Sequence, residues 1–304
     1  MKINIIHRIA TVVVLLPALL ILSCNRYKVD EDAYRKGIEK WHTERVERLK
    51  SKNGWLNLAG LFWLKQGLNT FGSDSANLIV FPAKAPGFMG TIALSGESAT
   101  LAENRANILV DSMPVGNCSL RVDTTGNPSV MTWGSLAWHI IKRGDRVGIR
   151  LRDYASPLIE KISEVPYYPI SSKWRIIARY EAFEQPRKQV VRTVIGTDAE
   201  NIVPGVLSFK IEGKKMKLYP VQEGKELSLV FGDLTNGEET YGGGRFLDLE
   251  GPDEHGMVIL DFNQAYNPPC SFTPYATCQL PHRDNLLPLK VEAGEKAMHL
   301  VPGH

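Results

Sequence analysis

Residues 206–221 read VLSFKIEGKKMKLYPV. Leu207, Phe209 and Ile211 alternate with polar residues, a period of two that turns apolar side chains to one face of an extended chain. Glu212-Gly213 interrupts the run, and Met216 and Leu218 resume it. Two alternating runs around a two-residue turn with glycine specify an antiparallel hairpin. Lys214, Lys215 and Lys217 then belong to a solvated tip and outer face.

The same period extends outward in both directions. Downstream come ELSLVFGDL, GRFLDLEGPDEHGMVILDF and PLKVEAGEK; upstream come QVVRTVIG, KWRIIARYEAF, LAWHIIKRGDRVGIRLRD and SVMTWG. Earlier still are LAGLFWL, LNTFG, LIVFP, GTIALSG, ATLAE and NILVDSMPV, with Gly, Pro, Asn and Ser between them. Short strands with such punctuation predict a mainly β protein, an antiparallel sandwich or barrel in two β-rich lobes. One amphipathic helix is expected over Asp30–Lys50, where Tyr34, Ile38, Trp41, Arg45 and Leu49 recur at three- and four-residue steps. Strand–helix alternation, a dinucleotide fingerprint and a P-loop are all missing, which argues against Rossmann and nucleotide-kinase chemistry.

Composition narrows the class further. The chain has 304 residues, is 43% hydrophobic and carries a net charge of +3. That near-balance gives no reason to expect nucleic acid as a partner. The first eight residues carry Lys2 and Arg8, the apolar run IATVVVLLPALLIL follows, and Ser23-Cys24 closes it. This run is shorter than the roughly 20 residues of a spanning helix and suits an export signal. Its ending, Ile21-Leu22-Ser23-Cys24, resembles a bacterial lipobox, in which the cysteine receives acyl chains such as palmitate. The expectation is a signal peptide over 1–23 and a membrane anchor at Cys24. Asn25 in the following position fits an outer-membrane destination, on either its periplasmic or its surface face.

Export places Cys118, Cys270 and Cys278 in an oxidising space. Cys270 and Cys278 are the expected disulfide, leaving Cys118 as a small buried hydrophobe. A metal site from Cys270, Cys278 and His282 is not expected, because C-x7-C-x3-H matches no usual zinc spacing and a fourth ligand is missing.

The expected domains are the signal 1–23, a tether and helix 24–54, a first β lobe 55–128 and a C-terminal β domain 129–304. The first lobe resembles a forkhead-associated domain in layout only. Gly72 is followed by Ser73 where that family has arginine, and no S-x-x-H follows, so phosphopeptide reading is not carried over. Further blocks resemble the DUF1684 family in order: NGWLNLAGLFWLKQGLNTFGSD, GIRLRDYASP with YYPISSKWRIIARYEAF, ETYGGGRFLDLE, LDFNQAYNPPCSFTPYATCQLP and NLLPLKVEAGEK. The resemblance runs from about Trp41 to Lys296. It implies an integral β-rich domain and supplies no catalytic residue or cofactor.

The densest polar stretch, residues 259–281, supplies the candidate site. Asp261 and Asn263 are expected to share one strand face, since positions two apart point the same way, and Tyr266-Asn267 leaves the strand before Pro268-Pro269 stiffens the exit. A disulfide-closed loop would hold Thr273 and Tyr275 above, with Arg245 on a neighbouring strand after three glycines. Arg245, Asp261, Asn263, Tyr266, Asn267 and Tyr275 are therefore expected to line a site for a small polar or anionic ligand. The competing expectation is that Arg245 and Asp261 form a structural ion pair.

Chemistry at this site would fall to His282 or Asp261, with Asp284 orienting the histidine, as in a hydrolase using bound water. Asp248 with Asp261 is the candidate carboxylate pair. Ser135 lacks a nucleophile-elbow context, His139 is read as structural, and His255 as a turn tip. Arg150 and Arg152 share one strand face near Asp153, which solvent or a ligand anion must meet, and an exposed or ion-paired role is expected. A last reading makes the protein an interaction module through an aromatic patch at Phe62-Trp63.

Overall fold

The computed structural model describes residues 27–224, 226–298 and Leu300, so the expected signal peptide and Cys24 lie outside the described residues. Helix α1 (Glu31–Lys50) begins at Asp30, whose carboxylate accepts from the Ala33 amide at 2.8 Å. Glu31 and Asp32 in the first turn and Arg48 and Lys50 in the last complement the helix dipole. One stripe, Ile38, His42, Arg45, Val46 and Leu49, is buried. A single further turn of helix, α2 (Pro157–Lys161), starts at a Ser156 cap with proline in its first position.

Apart from short 3-10 turns, the rest of the regular structure among the described residues is strand. In chain order the strands are β1 (Leu58–Trp63), β2 (Gly67–Gly72), β3 (Ile79–Val80), β4 (Gly90–Ser95), β5 (Ser98–Asn104), β6 (Leu109–Val110), β7 (Met113–Pro114), β8 (Cys118–Leu120) and β9 (Met131–Trp133). The second half continues with β10 (Leu136–Arg143), β11 (Arg146–Asp153), β12 (Arg175–Arg192), β13 (Asp198–Ile211), β14 (Lys214–Leu218), β15 (Val221–Glu223), β16 (Glu226–Phe231), β17 (Arg245–Leu249) and β18 (Met257–Asp261). The chain is thus mainly β, with one long N-terminal helix and several sheets.

Two sheets build the first lobe, in the orders β1-β11-β10-β9-β6-β7 and β3-β2-β4-β5-β8. Alternate residues of both, including Phe71, Ile92 and Leu101 from one and Trp138, Ile149 and Leu151 from the other, form one hydrophobic cluster. That cluster corrects the boundary expected at 128/129. β9, β10 and β11 lie beyond it yet pair in the sheet of β1 and complete the first core. The other face of this sheet carries His139, Arg150 and Arg152, since side chains two apart share a face.

The second lobe holds the sheets β14-β13-β12-β18 and β15-β16-β17, whose inner faces meet around Phe209, Phe231, Leu247, Leu260 and Phe262. Glu212 and Gly213 both have positive φ, the geometry of a two-residue turn matched to strand twist, and β13 and β14 pair from Leu207–Leu218 to Ile211–Lys214. RIIARYEAF of one expected strand and QVVR of the next belong to the one long strand β12. Its pairing with β13 shifts register between Ala182 and Arg187, where Pro186 and Pro204 cannot donate ladder hydrogen bonds.

Candidate functional site

The expected rim does not assemble as one site. Arg245 is fully buried in β17, which pairs with β16 and not with the β18 strand that ends at Asp261. Its Nη2 donates to Asp233 Oδ2 at 2.5 Å and to the Val291 carbonyl at 2.9 Å, and its Nη1 donates to the Ala293 carbonyl. The ion pair weighed for Arg245 with Asp261 is instead made with Asp233, at the end of the strand-like run ELSLVFGDL. Of the three glycines before it, Gly244 has positive φ and lies against Pro281 and the Phe231 carbonyl. That close approach serves the chain's own packing.

Asp261 and Asn263 meet each other and the helix. Tyr34 Oη contacts both Asp261 oxygens at 2.8 and 2.9 Å, and Asn263 Nδ2 reaches Tyr34 Oη, Ser171 O and Asp261 Oδ1 at 2.8–3.0 Å. Asn263 does not continue β18; it sits in a 3-10 turn capped by Asp261, which accepts from the Asn263 amide. Burial, then the charge of Asp261, push the Tyr34 phenol far above its ordinary range, so it remains a donor. Asp248 and Asp261, the carboxylate pair expected from sequence, border one cleft of about 420 Å³ with Arg175 and Asp253. Tyr266 Oη donates to Asp248 at 2.8 Å from a neighbouring cleft that it borders with Arg45 and Trp55.

Asn267 is wholly buried and works as a strap. Its amide donates to Glu295 Oε2 at 2.7 Å, its Nδ2 to the Lys296 carbonyl at 2.8 Å, and its carbonyl accepts from Arg45 Nη2 at 3.0 Å. Arg45 Nε also pairs with Glu295 Oε1 at 3.2 Å, and its guanidinium lies 4.5 Å over the Tyr266 ring. Burial raises the Glu295 carboxyl above its ordinary value, with Arg45 opposing. Two internal arginines, Arg45 and Arg245, thus bind the segment 291–296 to the second lobe. The disulfide Cys270–Cys278 is formed, and Tyr275 takes an amide contact to Thr273 Oγ1 at 3.3 Å. Cys118 is half-buried and free, less enclosed than expected.

His282 is not brought to Asp261. Its Nδ1 accepts from the Asp284 amide at 3.3 Å and lies 3.4 Å from Asp284 Oδ2, capping the turn 283–285. Ser135 Oγ donates to Asp153 at 2.7 Å, beside Lys84 on the same carboxylate. Phe62 packs into the first core against Phe81, and the Arg146 guanidinium covers the Trp63 ring at 4.0 Å, so the pair makes no open aromatic patch.

The arginines of GIRLRD behave differently from expectation. Arg152 is half-buried and donates to the Gly54 carbonyl and to Asn57 Oδ1. Arg150 is neither exposed nor ion-paired: it is 6% exposed, and among the described residues no carboxylate lies within 4.0 Å of it. Its Nη2 donates to Thr277 Oγ1 at 3.1 Å and its Nε has no partner. Arg143 Nε reaches the same hydroxyl at 3.3 Å while its Nη1 pairs with Asp123 at 2.7 Å. Burial, and then the Arg143 charge, draw Arg150 down to about 10, with Asp123 opposing and Arg152 adding. Across the ladder, His139 is pushed down to about 4 by burial and by Arg150, and so is neutral at pH 7.

Arg150 and Arg143 line a cleft of about 220 Å³ between the lobes. Its walls are Trp55, Val230, Phe246 and Pro269, with Ala276 to Gln279 of the disulfide loop completing it. A guanidinium in apolar walls, lacking a carboxylate, is an anion acceptor with its field little screened. No reading of residues 259–281 alone would have found it, because Arg150 and Thr277 are brought together by the packing of two lobes. The available signal was the paired-arginine strand face itself.

Residues 160–296 match the family described as a protein of unknown function, DUF1684. The blocks NGWLNLAGLFWLKQGLNTFGSD and GIRLRDYASP lie before the matched range. The chain is also similar to an uncharacterised protein from Haloarcula marismortui whose solution structure is known. Identity is 27% over 45% of this chain and 78% of that one, with a TM-score of 0.39. No curated protein matches the sequence.

Proposed function

We propose that the protein is a lipid-anchored envelope protein, held through Cys24 at an outer membrane, which binds a small anion in the cleft between its lobes. The ligand class is a molecule presenting phosphate or carboxylate oxygens. One observation carries this reading: Arg150 is buried without a counter-charge, with an unpartnered Nε, beside a cleft large enough for such a group. An isolated buried charge costs several kcal/mol unless something compensates it. Neighbouring Arg143 and Arg152 add like charge, and Asp123 is already committed to Arg143.

In this reading Arg150 and Arg143 donate to the anion, and Thr277 turns its hydroxyl proton towards it while accepting from both guanidiniums. The first lobe, taken as a two-sheet sandwich of forkhead-associated-like layout, supplies the arginine wall. The disulfide fixes Thr277 opposite. The sequence-expected ligand residues Arg245, Asn263 and Asn267 serve the second lobe's integrity, so the site moves from the C-terminal rim to the inter-lobe cleft.

Calorimetric titration tests the proposal, with inorganic phosphate in one arm and succinate in the other. Wild type is expected to bind at least one, and Arg150→Met to bind neither. Arg143→Ala is expected to weaken binding at least tenfold. Equal heats from wild type and Arg150→Met, or none from either anion, would remove the proposal.

A further inference from the structure

The outer face of the β14-β13-β12-β18 sheet is basic across β12, β13 and β14, and turns acidic at the end of β18, where Asp261 stands opposite Arg175. Arg175 and Arg179 of β12, Lys210 of β13, and Lys215 and Lys217 of β14 line one open groove of about 880 Å³ with Met257. Register explains the grouping: Lys217, Ser208, Arg179 and Met257 form one row across four strands, and Lys215 stands opposite Lys210. Against these five cations the groove sets Glu181, 3.8 Å from Arg179. Lys210, Lys215 and Lys217 are all exposed and, among the described residues, have no carboxylate within 4.0 Å.

The described chain begins beside this groove. Arg175, one of its walls, donates to the Tyr27 carbonyl at 3.0 Å, and Tyr27 Oη reaches Asp253 in the turn before Met257. Cys24, the proposed anchor, stands three positions before Tyr27 in the sequence, a stretch of at most about 11 Å of chain. We infer that this face is the membrane-apposed surface of the protein, its occupant a bilayer with anionic headgroups. The inference rests on the anchor reading given above. Charge complementarity supplies the attraction, Met257 and Ile177 supply apolar contact, and one acyl-bearing residue at the edge of the face fixes its orientation.

The test uses the full chain on vesicles of phosphatidylcholine alone, or with one-third phosphatidylglycerol, and maps lysine acetylation by mass spectrometry. Lys210, Lys215 and Lys217 are expected to react at least fivefold more slowly on the anionic vesicles and to recover in high salt, which screens exposed charge. Lys65, exposed on the first lobe, is expected to react equally on both. Equal reactivity of the three lysines on the two vesicles, or protection of Lys65 instead, overturns the inference. The mass of the Cys24 peptide is read from the same samples. Acylated Cys24 without lysine protection keeps the anchor and sinks the surface; protection without acylation keeps the surface and sinks the anchor.

Discussion

Arg245 and Arg150 are both enclosed arginines on strands, each with an unpartnered Nε, and they differ in the counter-charge set beside the guanidinium. Arg245 has a buried carboxylate at 2.5 Å and two backbone carbonyls, so its field is spent inside the second lobe. Arg150 has one threonine hydroxyl, two arginine neighbours and a cleft. Burial by itself therefore says little about role. What separates a strut from a receptor is whether the chain supplies the counter-charge.

The strongest way to break this contrast is to remove the strut. Arg245→Met leaves Asp233 buried without its partner, and unfolding in urea is expected to show a loss of about 3–5 kcal/mol. A loss below 1 kcal/mol would mean that Arg245 is no more committed than Arg150. Next comes the loop that carries Thr277. Removing the disulfide with Cys270→Ser and Cys278→Ser should cost about 2.5 kcal/mol by the loop-closure relation. It should also weaken phosphate binding, whereas intact affinity in that variant would detach the loop from the site.

Smaller effects sharpen the picture through pH. His42 and His139 are each held at about 4 in the folded protein, chiefly by burial, against an ordinary value near 6.5. Between those values the unfolded chain binds more protons, so stability rises with pH there and is lost as pH falls from 6.5 towards 4. Urea midpoints across this window should decline on acidification in wild type and flatten in His42→Gln with His139→Gln. An unchanged slope would show that other groups govern the acid limb. The smallest change is expected from Thr277→Val, which keeps the shape of the loop but removes the hydroxyl that accepts from Arg150, and should reduce anion affinity a few-fold with an unfolding midpoint below wild type.

Local pattern made much of the fold legible. The alternation around Glu212-Gly213 specified the β13–β14 hairpin, and the three- and four-residue steps after Asp30 specified α1, because both signals arise from neighbours in the chain. The lobe boundary was not legible: β1 pairs with β11 some ninety positions later, a relation that no window of sequence contains. The candidate site divided the same way. Arg150 and Arg152 announced a polar strand face, but only the meeting of that face with Thr277 distinguishes the two arginines. Arg245 announced a buried or ligand-facing charge, and its partner, Asp233, lies just beyond β16 at the end of a run read as strand. Asp261 and Asn263 were expected on one strand face; Asn263 instead turns into a 3-10 segment, and Tyr34 from α1 bonds to both.

The most direct measurement compares the unfolding free energy of Arg150→Met with wild type, first without added anion and then in saturating phosphate or succinate. If the chain leaves this charge for a ligand to neutralise, the variant is more stable than wild type without anion, by about 1 kcal/mol or more. An anion at 100 times its dissociation constant then raises wild type alone, by about 2.7 kcal/mol. A variant that is destabilised without anion, together with a wild type indifferent to both anions, would contradict the account.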